Sequence, residues 1–305
     1  MGWIILLALI VIITVAPFYL DSRRKTINDR ARAGSGMKFA DLSQGVTAYR
    51  WVGPTRGPVA VMIHGLTTPS IAFADLAEGV GQLGYRVLVY DLYGRGLSDA
   101  PSGKQDSAFF VTQLDDLLRD QHITDDVTLF GYSMGGSIAT VFAAQKPHRI
   151  KRVILLATAG VLTQESAFSS FCRRVPLLGD WIHHSIGAER MKRALRDTPE
   201  AEGAVLAAQK AELDRSGFLP AVLASRRGML NDQLEAEHRL LGREDVPVVA
   251  IWGGQDQVIP LAAMGRLAQW NRSARQDEER SAAHGLPFTH SAEILTILRS
   301  AFRDD

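Results

Sequence analysis

The chain has 305 residues, of which 46% are hydrophobic and 22% are charged, and its formal net charge at pH 7 is +1. This composition favours a globular protein with a sizeable core over a disordered chain, and the near-zero charge gives no indication of a nucleic-acid partner. The single cysteine, Cys172, excludes an intrachain disulfide, and no Cys/His cluster indicates zinc, so the sequence implies no metal or cofactor.

The N-terminal segment is the first predicted element. Residues 3–20 carry no charge, and this length is at the short end of what spans a bilayer, where about 20 residues are usual. Positive charges follow it, at Arg23, Arg24, Lys25, Arg30 and Arg32. Because positive charge marks the cytoplasmic flank, we predict a single-pass transmembrane anchor at residues 1–20 with the catalytic domain in the cytoplasm. The alternatives are an export signal, cleaved or uncleaved, and a helix buried in the protein.

Beyond the anchor, the sequence alternates between strand and helix patterns. Residues 21–36 are polar and basic and are predicted to be a linker, and the globular domain is predicted to cover 37–305. The predicted strands are 45–52, 59–63, 85–94, 127–130, 150–157 and 246–254, and the predicted helices are 70–83, 109–118, 133–145 and 289–302. This alternation with apolar strands predicts an α/β fold with a mostly parallel, doubly wound central sheet and helices on both faces.

One segment interrupts the alternation. Between about residues 160 and 245 the sequence shows no convincing strand and is rich in Ala, Leu, Glu and Arg. We predict several helices inserted here between two strands of the sheet.

A candidate nucleophile lies in the sequence GYSMG at 131–135, which fits the pattern G-x-S-x-G. The pattern alone is weak, but here it follows a predicted strand and opens a predicted helix. In that context the turn is sharp and lifts the serine hydroxyl out of the sheet. We therefore predict Ser133 as a nucleophile. The alternative is a tight strand–helix turn with an incidental serine.

A serine hydroxyl needs a base to take its proton and an acid to orient that base. In this architecture the acid and then the histidine follow the serine in the chain. Of the eight histidines, only His284 and His290 come after a suitable strand end, and His290 begins the last predicted helix. We therefore predict His284 as the base. Asp256 directly follows the strand 246–254, at the sheet edge where catalytic groups cluster, and is predicted as the acid.

Two main-chain N–H groups are predicted to form the oxyanion hole. Met134 follows the nucleophile and begins a helix, whose dipole favours negative charge. Leu66 lies in the loop HGLTTPS after an earlier strand. Asp91 also ends a strand but precedes Ser133 in the chain, so we predict that it holds the loop 91–99 in place.

Five sequence features follow one another in an order that resembles the α/β-hydrolase fold superfamily. They are HGLTTPS at 64–70, DLYGRGLSD at 91–99, GYSMGG at 131–136, WGGQDQVIP at 252–260 and AAHGLPFTH at 282–290. The resemblance implies a helical cap at about 160–245 and a triad of Ser133, Asp256 and His284. The order and the inserted segment are similar to the lipase, esterase and monoacylglycerol-lipase-like branch.

The sequence departs from some branches of the superfamily. Serine at position 133 argues against the epoxide-hydrolase and dehalogenase branches, which use an aspartate there. The oxyanion segment has Leu66 after His-Gly, so its resemblance to the HGGG esterases is poor. The segment 274–282 is unusually polar, so the strand before His284 is predicted to be short.

The first part of the predicted cap carries large apolar residues that could line a substrate pocket. We take Phe168, Phe171, Leu177 and Trp181 as candidates for an acyl pocket, and packing of the cap onto the main domain as the alternative. The cap is also locally basic, which indicates either a solvated helix face or contact with anionic lipid headgroups.

These features together predict a membrane-anchored serine hydrolase that cleaves carboxylic esters, including lipid or monoacylglycerol-like esters. A thioesterase, a C–C hydrolase or an acyltransferase would use the same triad. A ligand-binding or signalling protein without catalysis on the same fold is the alternative of a different class. The expected partners are a small-molecule ester or lipid substrate and a membrane, and the sequence does not indicate an oligomeric state.

Overall fold

The computed structural model describes residues 2–197 and 201–303, and its centre is one eight-stranded sheet in the order β1-β2-β4-β3-β5-β6-β7-β8. The strands are β1 Lys38–Leu42, β2 Gly45–Val52, β3 Val59–Ile63, β4 Arg86–Tyr90, β5 Val127–Tyr132, β6 Ile150–Leu156, β7 Val248–Gly253 and β8 Arg275–Glu279. β1 and β2 pair antiparallel with their neighbours, and every pair from β4 across to β8 is parallel. The predicted mostly parallel α/β sheet is confirmed.

The central strands are apolar along their whole length because both faces of the sheet are covered. β5 and β7 are buried at every residue. In β3, Val61 and Ile63 belong to one hydrophobic cluster, whereas Ala60 and Met62 belong to a second cluster on the other face. Alternate residues of a strand point to opposite faces, so a strand that contributes to two cores has no polar side.

The α-helices among the described residues cover the sheet or build the cap. They are α1 Gly2–Ser22, α2 Asp29–Arg32, α3 Ala74–Gln82, α4 Ser107–Asp120, α5 Met134–Gln145, α6 Ala167–Arg174, α7 Leu178–Asp197, α8 Gly203–Glu212, α9 Phe218–Arg227, α10 Glu235–Arg243, α11 Ala262–Trp270, α12 Leu286–Thr289 and α13 Ser291–Ala301. Helices α6 to α10 lie between β6 and β7 in the chain, which confirms the predicted helical insertion. Because β6 ends at Leu156, the insertion leaves the sheet from its carboxyl edge.

Some predicted boundaries differ from the structure. The predicted helix 70–83 begins as a 3₁₀-helix, Ser70–Phe73, before α3 starts. The short β8 lies at the edge of the sheet, where charged side chains stay in contact with water, and Arg275 forms an ion pair with Asp277 at 3.1 Å. An edge position therefore explains the polar sequence of this strand.

The N-terminal helix α1 ends against the cap. The ring of Phe18 lies 4.8 Å from the ring of His184, between centroids. Beyond the helix, Lys25 accepts a hydrogen bond from the N–H of Ser216 at 2.9 Å and donates one to the carbonyl of Asp214 at 3.0 Å. Arg32 contacts Asp99 at 2.5 Å. The predicted linker 21–36 is therefore held against the globular domain at several points.

Helix α5 approaches the sheet closely at a glycine. A Cβ atom at Gly135 would overlap the main-chain carbonyl oxygen of Ile63 in β3. Main-chain atoms of a central strand cannot move aside as the end of a flexible side chain can. Gly265 in α11 offers the opposite case, because a Cβ atom there would meet open space.

Gly135→Ala is therefore expected to lower the free energy of unfolding by about 3 kcal/mol, as overpacking of a close contact does. The matched change Gly265→Ala, at an exposed helical site, is expected to raise it by about 1 kcal/mol. Urea titration of the detergent-solubilised protein, followed by circular dichroism, measures both. Equal stability of the two variants would contradict the close approach of α5 to β3.

Candidate active site

Ser133 lies at the turn between β5 and α5 and has an unusual backbone conformation, with φ 52° and ψ −118°. Non-glycine residues rarely adopt a positive φ, and the strain is typically about 1–3 kcal/mol. Hydrogen bonds hold the turn: the N–H of Ser133 donates to the carbonyl of Leu156 at 3.0 Å, and its own carbonyl accepts from Ala159 at 3.0 Å and Gly136 at 2.9 Å. The end of β6 therefore fixes the orientation of the serine.

The three residues predicted as a triad come together at the carboxyl edge of the sheet. The Nε2 atom of His284 lies 3.0 Å from the hydroxyl oxygen of Ser133, and its Nδ1 atom lies 2.8 Å from Oδ2 of Asp256. Asp256 follows β7 and His284 follows β8, so the parallel strands bring together residues that are distant in the chain. A proton on Nδ1 that is donated to the carboxylate leaves Nε2 free to accept the serine proton.

Asp256 is fixed by its own loop. Its Oδ1 atom accepts hydrogen bonds from the N–H groups of Val258 at 2.7 Å and Ile259 at 2.8 Å. With Oδ1 used in this way, Oδ2 faces His284, and the residue is only 6% exposed. The local sequence DQVIP thus orients the carboxylate before any substrate is present.

Two other candidates have different surroundings. His290 precedes α13, and its ring contacts the hydroxyl groups of Thr289 at 2.8 Å and Ser281 at 3.2 Å. The carboxylate of Asp91 accepts from the N–H of Ser70 and from that of Leu97, both at 2.9 Å. Asp91 thus contacts its own loop, 91–99, as predicted, and also the loop that contains Ser70.

The loop after β3 lies directly beside the serine. A Cβ atom on Gly65 would lie 3.3 Å from Cβ of Ser133, a contact tighter than most, so a glycine favours this close approach of the loop. Leu66 follows it, and Met134 opens α5, where the first N–H groups have no partner within the helix. The loop that carries Leu66 therefore lies beside Ser133, and Met134 directly follows the serine in the chain; their role as an oxyanion hole stays a prediction.

His64 holds the loop after β3 in place through both of its ring nitrogens. Its Nε2 atom accepts a hydrogen bond from the N–H of Leu92 at 2.9 Å, and its Nδ1 atom lies 2.8 Å from the carbonyl oxygen of Gly65. Burial lowers the pKa of His64 to about 4. The ring is therefore neutral at neutral pH, which it must be to donate from Nδ1 and accept at Nε2. The sequence motif His-Gly indicated the loop but not this role.

Arg95 connects the same loop to the cap. Its guanidinium group is fully buried and contacts five acceptors. These are the carbonyl oxygens of Leu66, Tyr93 and Ala221, the side-chain oxygen of Gln105 and the hydroxyl of Ser225. Burial lowers the pKa of Arg95 to about 9, so the group still carries its charge at neutral pH. In the sequence, the only indication that Arg95 links the loop to the cap was a charged residue within the glycine-rich stretch YGRGLS.

The cap places a hydrophobic cluster against Leu66. The cluster consists of Ala188, Leu213, Phe218, Leu219 and Val222, with Met191 and Leu195 packed against it. In addition, the side-chain amide of Gln209 donates to the hydroxyl of Thr68 at 2.8 Å. The apolar face of the cap thus lies next to the loop that borders Ser133.

The four residues predicted for an acyl pocket lie elsewhere on the cap. Leu177 is 85% exposed and Phe171 is 40% exposed. The ring of Phe168 lies 4.5 Å below the guanidinium of Arg190, and the indole N–H of Trp181 donates to the carbonyl of Ile13 in α1 at 2.9 Å. Two of them thus contact Arg190 and the N-terminal helix, and the other two are exposed to solvent. Sequence alone could not tell the inner from the outer face of the cap helices.

Comparison with known proteins shows which family the sequence matches. The sequence pattern of the alpha/beta hydrolase fold matches residues 58–291. A haloalkane dehalogenase of Mycolicibacterium paratuberculosis is 30% identical over 258 residues, which cover 79% of this chain and 82% of the relative. A pimeloyl-[acyl-carrier protein] methyl ester esterase of Chromobacterium violaceum is 30% identical over 253 residues, covering 80% of this chain and 93% of the relative.

Among solved structures, a bacterial membrane phospholipase A described as a virulence factor superposes with a TM-score of 0.70. The two chains are 19% identical, and the match covers 99% of this chain and 96% of the other. At this identity the likeness concerns the fold alone.

Arg95→Lys is expected to lower the free energy of unfolding by about 3 kcal/mol, because a buried lysine leaves several of the five acceptors unpaired. It is also expected to slow fluorophosphonate labelling of Ser133, since the loop carrying Leu66 loses its tie to the cap. Chemical denaturation and the labelling rate measure the two effects. Arg119→Lys, on the exposed face of α4, is the control and should change stability by less than about 0.5 kcal/mol. A variant at position 95 that matches this control in both measurements would contradict the role of Arg95.

Proposed function

Because the chain belongs to the α/β-hydrolase fold family, we propose that it is a serine hydrolase that cleaves carboxylic esters through Ser133, His284 and Asp256. The observation that carries this proposal is the pair of hydrogen-bond distances at His284, 3.0 Å to Ser133 and 2.8 Å to Asp256. The strained turn at Ser133 supports it, since a strained backbone at a polar residue is common at functional sites.

In the first half of the reaction, the hydroxyl oxygen of Ser133 attacks the ester carbonyl carbon while Nε2 of His284 takes its proton. The carbonyl oxygen becomes an oxyanion and accepts hydrogen bonds from the N–H groups of Leu66 and Met134. Asp256 stabilises the imidazolium and keeps the ring in orientation. When the tetrahedral intermediate collapses, the bond to the alcohol breaks, and His284 gives its proton to the departing alkoxide. An acyl-enzyme on Ser133 remains.

In the second half, water enters and His284 acts as a base again. The water oxygen attacks the acyl carbon, and its proton passes to Nε2. Collapse of the second intermediate breaks the bond to Ser133, whose oxygen regains the proton from His284. The products are one carboxylic acid and one alcohol, and the enzyme returns to its initial state.

Serine at position 133 favours ester cleavage over dehalogenation, although a haloalkane dehalogenase is among the relatives. Attack of a serine oxygen on a saturated carbon would displace the halide but leave an ether. Water does not hydrolyse an alkyl ether under these conditions, so the enzyme would be blocked after one turnover. An acyl group on serine is an ester, which the same histidine and a water molecule can cleave.

The surroundings of Leu66 support a substrate with an apolar acyl group. The cap cluster that includes Phe218, Leu219 and Val222 is the apolar surface next to the proposed oxyanion hole. The pimeloyl-[acyl-carrier protein] methyl ester esterase among the relatives agrees with an ester substrate. We therefore assign the acyl site to the boundary between this cluster and Leu66 rather than to Phe168, Phe171, Leu177 and Trp181.

We also propose that α1 anchors the protein in a membrane, with the catalytic domain in the cytoplasm. Among the described residues, one helix, Trp3–Ser22, is long and apolar enough to cross a bilayer. Its large apolar side chains are exposed along the helix, unlike those of a core helix, and exposed apolar surface of this extent requires lipid or a partner. The contacts of Phe18 and Lys25 with the cap favour a retained helix over a cleaved signal.

Ser133→Ala is expected to abolish covalent labelling by a fluorescent fluorophosphonate and to lower ester hydrolysis by about a factor of 10⁴ or more. Gel fluorescence of the labelled protein and hydrolysis of p-nitrophenyl butyrate measure the two effects. Ser185→Ala, an exposed serine of the cap, is the matched control and should label like the original protein. Absence of labelling in the folded original protein, or equal labelling of Ser133→Ala, would refute the proposal.

Catalytic efficiency is expected to rise with acyl length from acetate to hexanoate, because each buried methylene contributes about 0.8 kcal/mol, or roughly fourfold. Met191→Ala, which removes a side chain packed on the cap cluster, should weaken this dependence. Ile186→Ala on the exposed face of the same helix should leave it unchanged. A series of p-nitrophenyl esters measures the slope, and a flat series would count against an acyl site beside the cluster.

A further inference from the structure

The contact between the N-terminal helix and the cap depends on a proline. Pro17 lies inside α1 and has no N–H group, so it cannot donate to the carbonyl of Ile13, four residues earlier. That carbonyl instead accepts a hydrogen bond from the indole N–H of Trp181 at 2.9 Å. The cap helix α7 therefore supplies the donor that α1 lacks, at a position in the middle of the apolar segment.

The two helices run in the same direction where they meet. Trp181 lies at the level of Ile13, and three residues later His184 lies beside Phe18 and 3.8 Å from the carboxylate of Asp21. Residues that precede Trp181 in the chain therefore lie toward the N-terminal end of α1. This is the end that enters the bilayer when the helix is a membrane anchor.

The length of α1 limits how far the cap can stay from the lipid. At 1.5 Å per residue, residues 3–12 extend about 15 Å, which is half of the roughly 30 Å hydrocarbon core. For α1 to reach deeper into the hydrocarbon core, residues of α1 that lie beside the cap must also enter it. With the charged Asp21 at the headgroup level, Ile13 lies eight residues earlier and about 12 Å below it, and Trp181 lies beside Ile13.

The residues before Trp181 suit such a position. Leu177 is 85% exposed and Leu178 is 53% exposed, next to each other at the start of α7. Leu177 has a φ of 63°, a costly conformation for a leucine, and its N–H donates to the carboxylate of Asp180 at 2.9 Å. Asp180 in turn pairs with Arg227 at 2.8 Å. The fold thus keeps Leu177 in a strained backbone conformation in which its apolar side chain is exposed.

We propose that Leu177, Leu178 and Trp181, the cap tip, insert into the acyl region of the same lipid leaflet that α1 enters. This proposal rests on the membrane anchor proposed above and adds a second point of contact with the bilayer. The cap tip continues the exposed apolar surface of α1 through the bond between Trp181 and Ile13. Because the cap also packs against Leu66, in the loop beside Ser133, the insertion holds the candidate active site at the membrane surface, where esters of lipids are found.

Depth-dependent fluorescence tests the proposal on the full-length protein. Cys172→Ala gives a cysteine-free chain, into which Leu177→Cys, Leu7→Cys or Asp125→Cys is introduced singly and labelled with the environment-sensitive dye NBD. Position 7 reports on α1, and position 125 precedes β5, at the sheet edge opposite the cap. Each protein is reconstituted in vesicles of phosphatidylcholine and phosphatidylglycerol, with or without lipids that carry a quenching doxyl group on the acyl chain.

The dye at position 177 is expected to emit at a shorter wavelength in vesicles than the free dye does in buffer without detergent. Doxyl lipids are expected to quench it, as they quench the dye at position 7. The dye at position 125 should show neither effect. Quenching at position 7 without quenching at position 177 would overturn the insertion of the cap tip and leave the anchor intact. Absence of quenching at both positions would overturn the anchor and the insertion together. Neither measurement requires catalysis, so loss of the proposed esterase activity is a separate result.

A functional comparison provides the second test. The double variant Leu177→Asp, Leu178→Asp changes only exposed side chains, so it should hydrolyse a water-soluble p-nitrophenyl ester at the original rate. Its rate on a fluorogenic ester embedded in the vesicles is expected to fall about tenfold, because two carboxylates oppose insertion. Leu261→Asp, an exposed leucine of the main domain, should lower neither rate. Equal losses on the soluble and the embedded ester would show a structural effect and contradict the proposal.

Discussion

The backbone of Ser133, with its φ of 52°, is the constraint on which the rest of the site depends. A conformation this unfavourable persists only where neighbouring segments determine it. Here the end of β6 supplies Leu156 and Ala159 as hydrogen-bond partners, and the close approach of α5 to β3 at Gly135 leaves the turn no room to relax. The sheet and α5 thus hold Ser133 in a strained conformation in which its hydroxyl group faces His284.

The opposite wall of the site is built from polar groups that are buried rather than strained. A neutral His64 receives the N–H of Leu92 and holds Gly65, and Arg95 connects the carbonyl of Leu66 to Ser225 in the cap. Each of these groups would be costly if it lost its partners, so the loop and the cap keep one relative position. The cap is therefore more than a cover, since its placement and that of the Leu66 main chain are determined by the same side chain.

Sequence patterns predicted the α/β fold, the central strands and the helical insertion, because apolar runs and strand–helix alternation leave a clear periodic signal. They missed β1 and α11. A short, half-exposed strand such as β1, Lys38–Leu42, has no such periodic signal. The roles of Ser133, Asp256 and His284 follow from motif order and remain predictions, although the structure brings the three side chains within hydrogen-bond distance. Arg95 could not be assigned from sequence, because its acceptors are mostly main-chain atoms from distant segments.

The hydrogen bond between Trp181 and Ile13 joins residues that are 168 positions apart in the chain, and this separation has a consequence for biosynthesis. Helix α1 is translated before Trp181, so the proposed anchor enters the lipid without the indole. Until then the Ile13 carbonyl, deprived of its donor by Pro17, has no partner in the hydrocarbon, where an unsatisfied group costs several kcal/mol. In the proposed anchor that penalty is relieved only when the cap has formed, so folding of the cap stabilises the inserted helix.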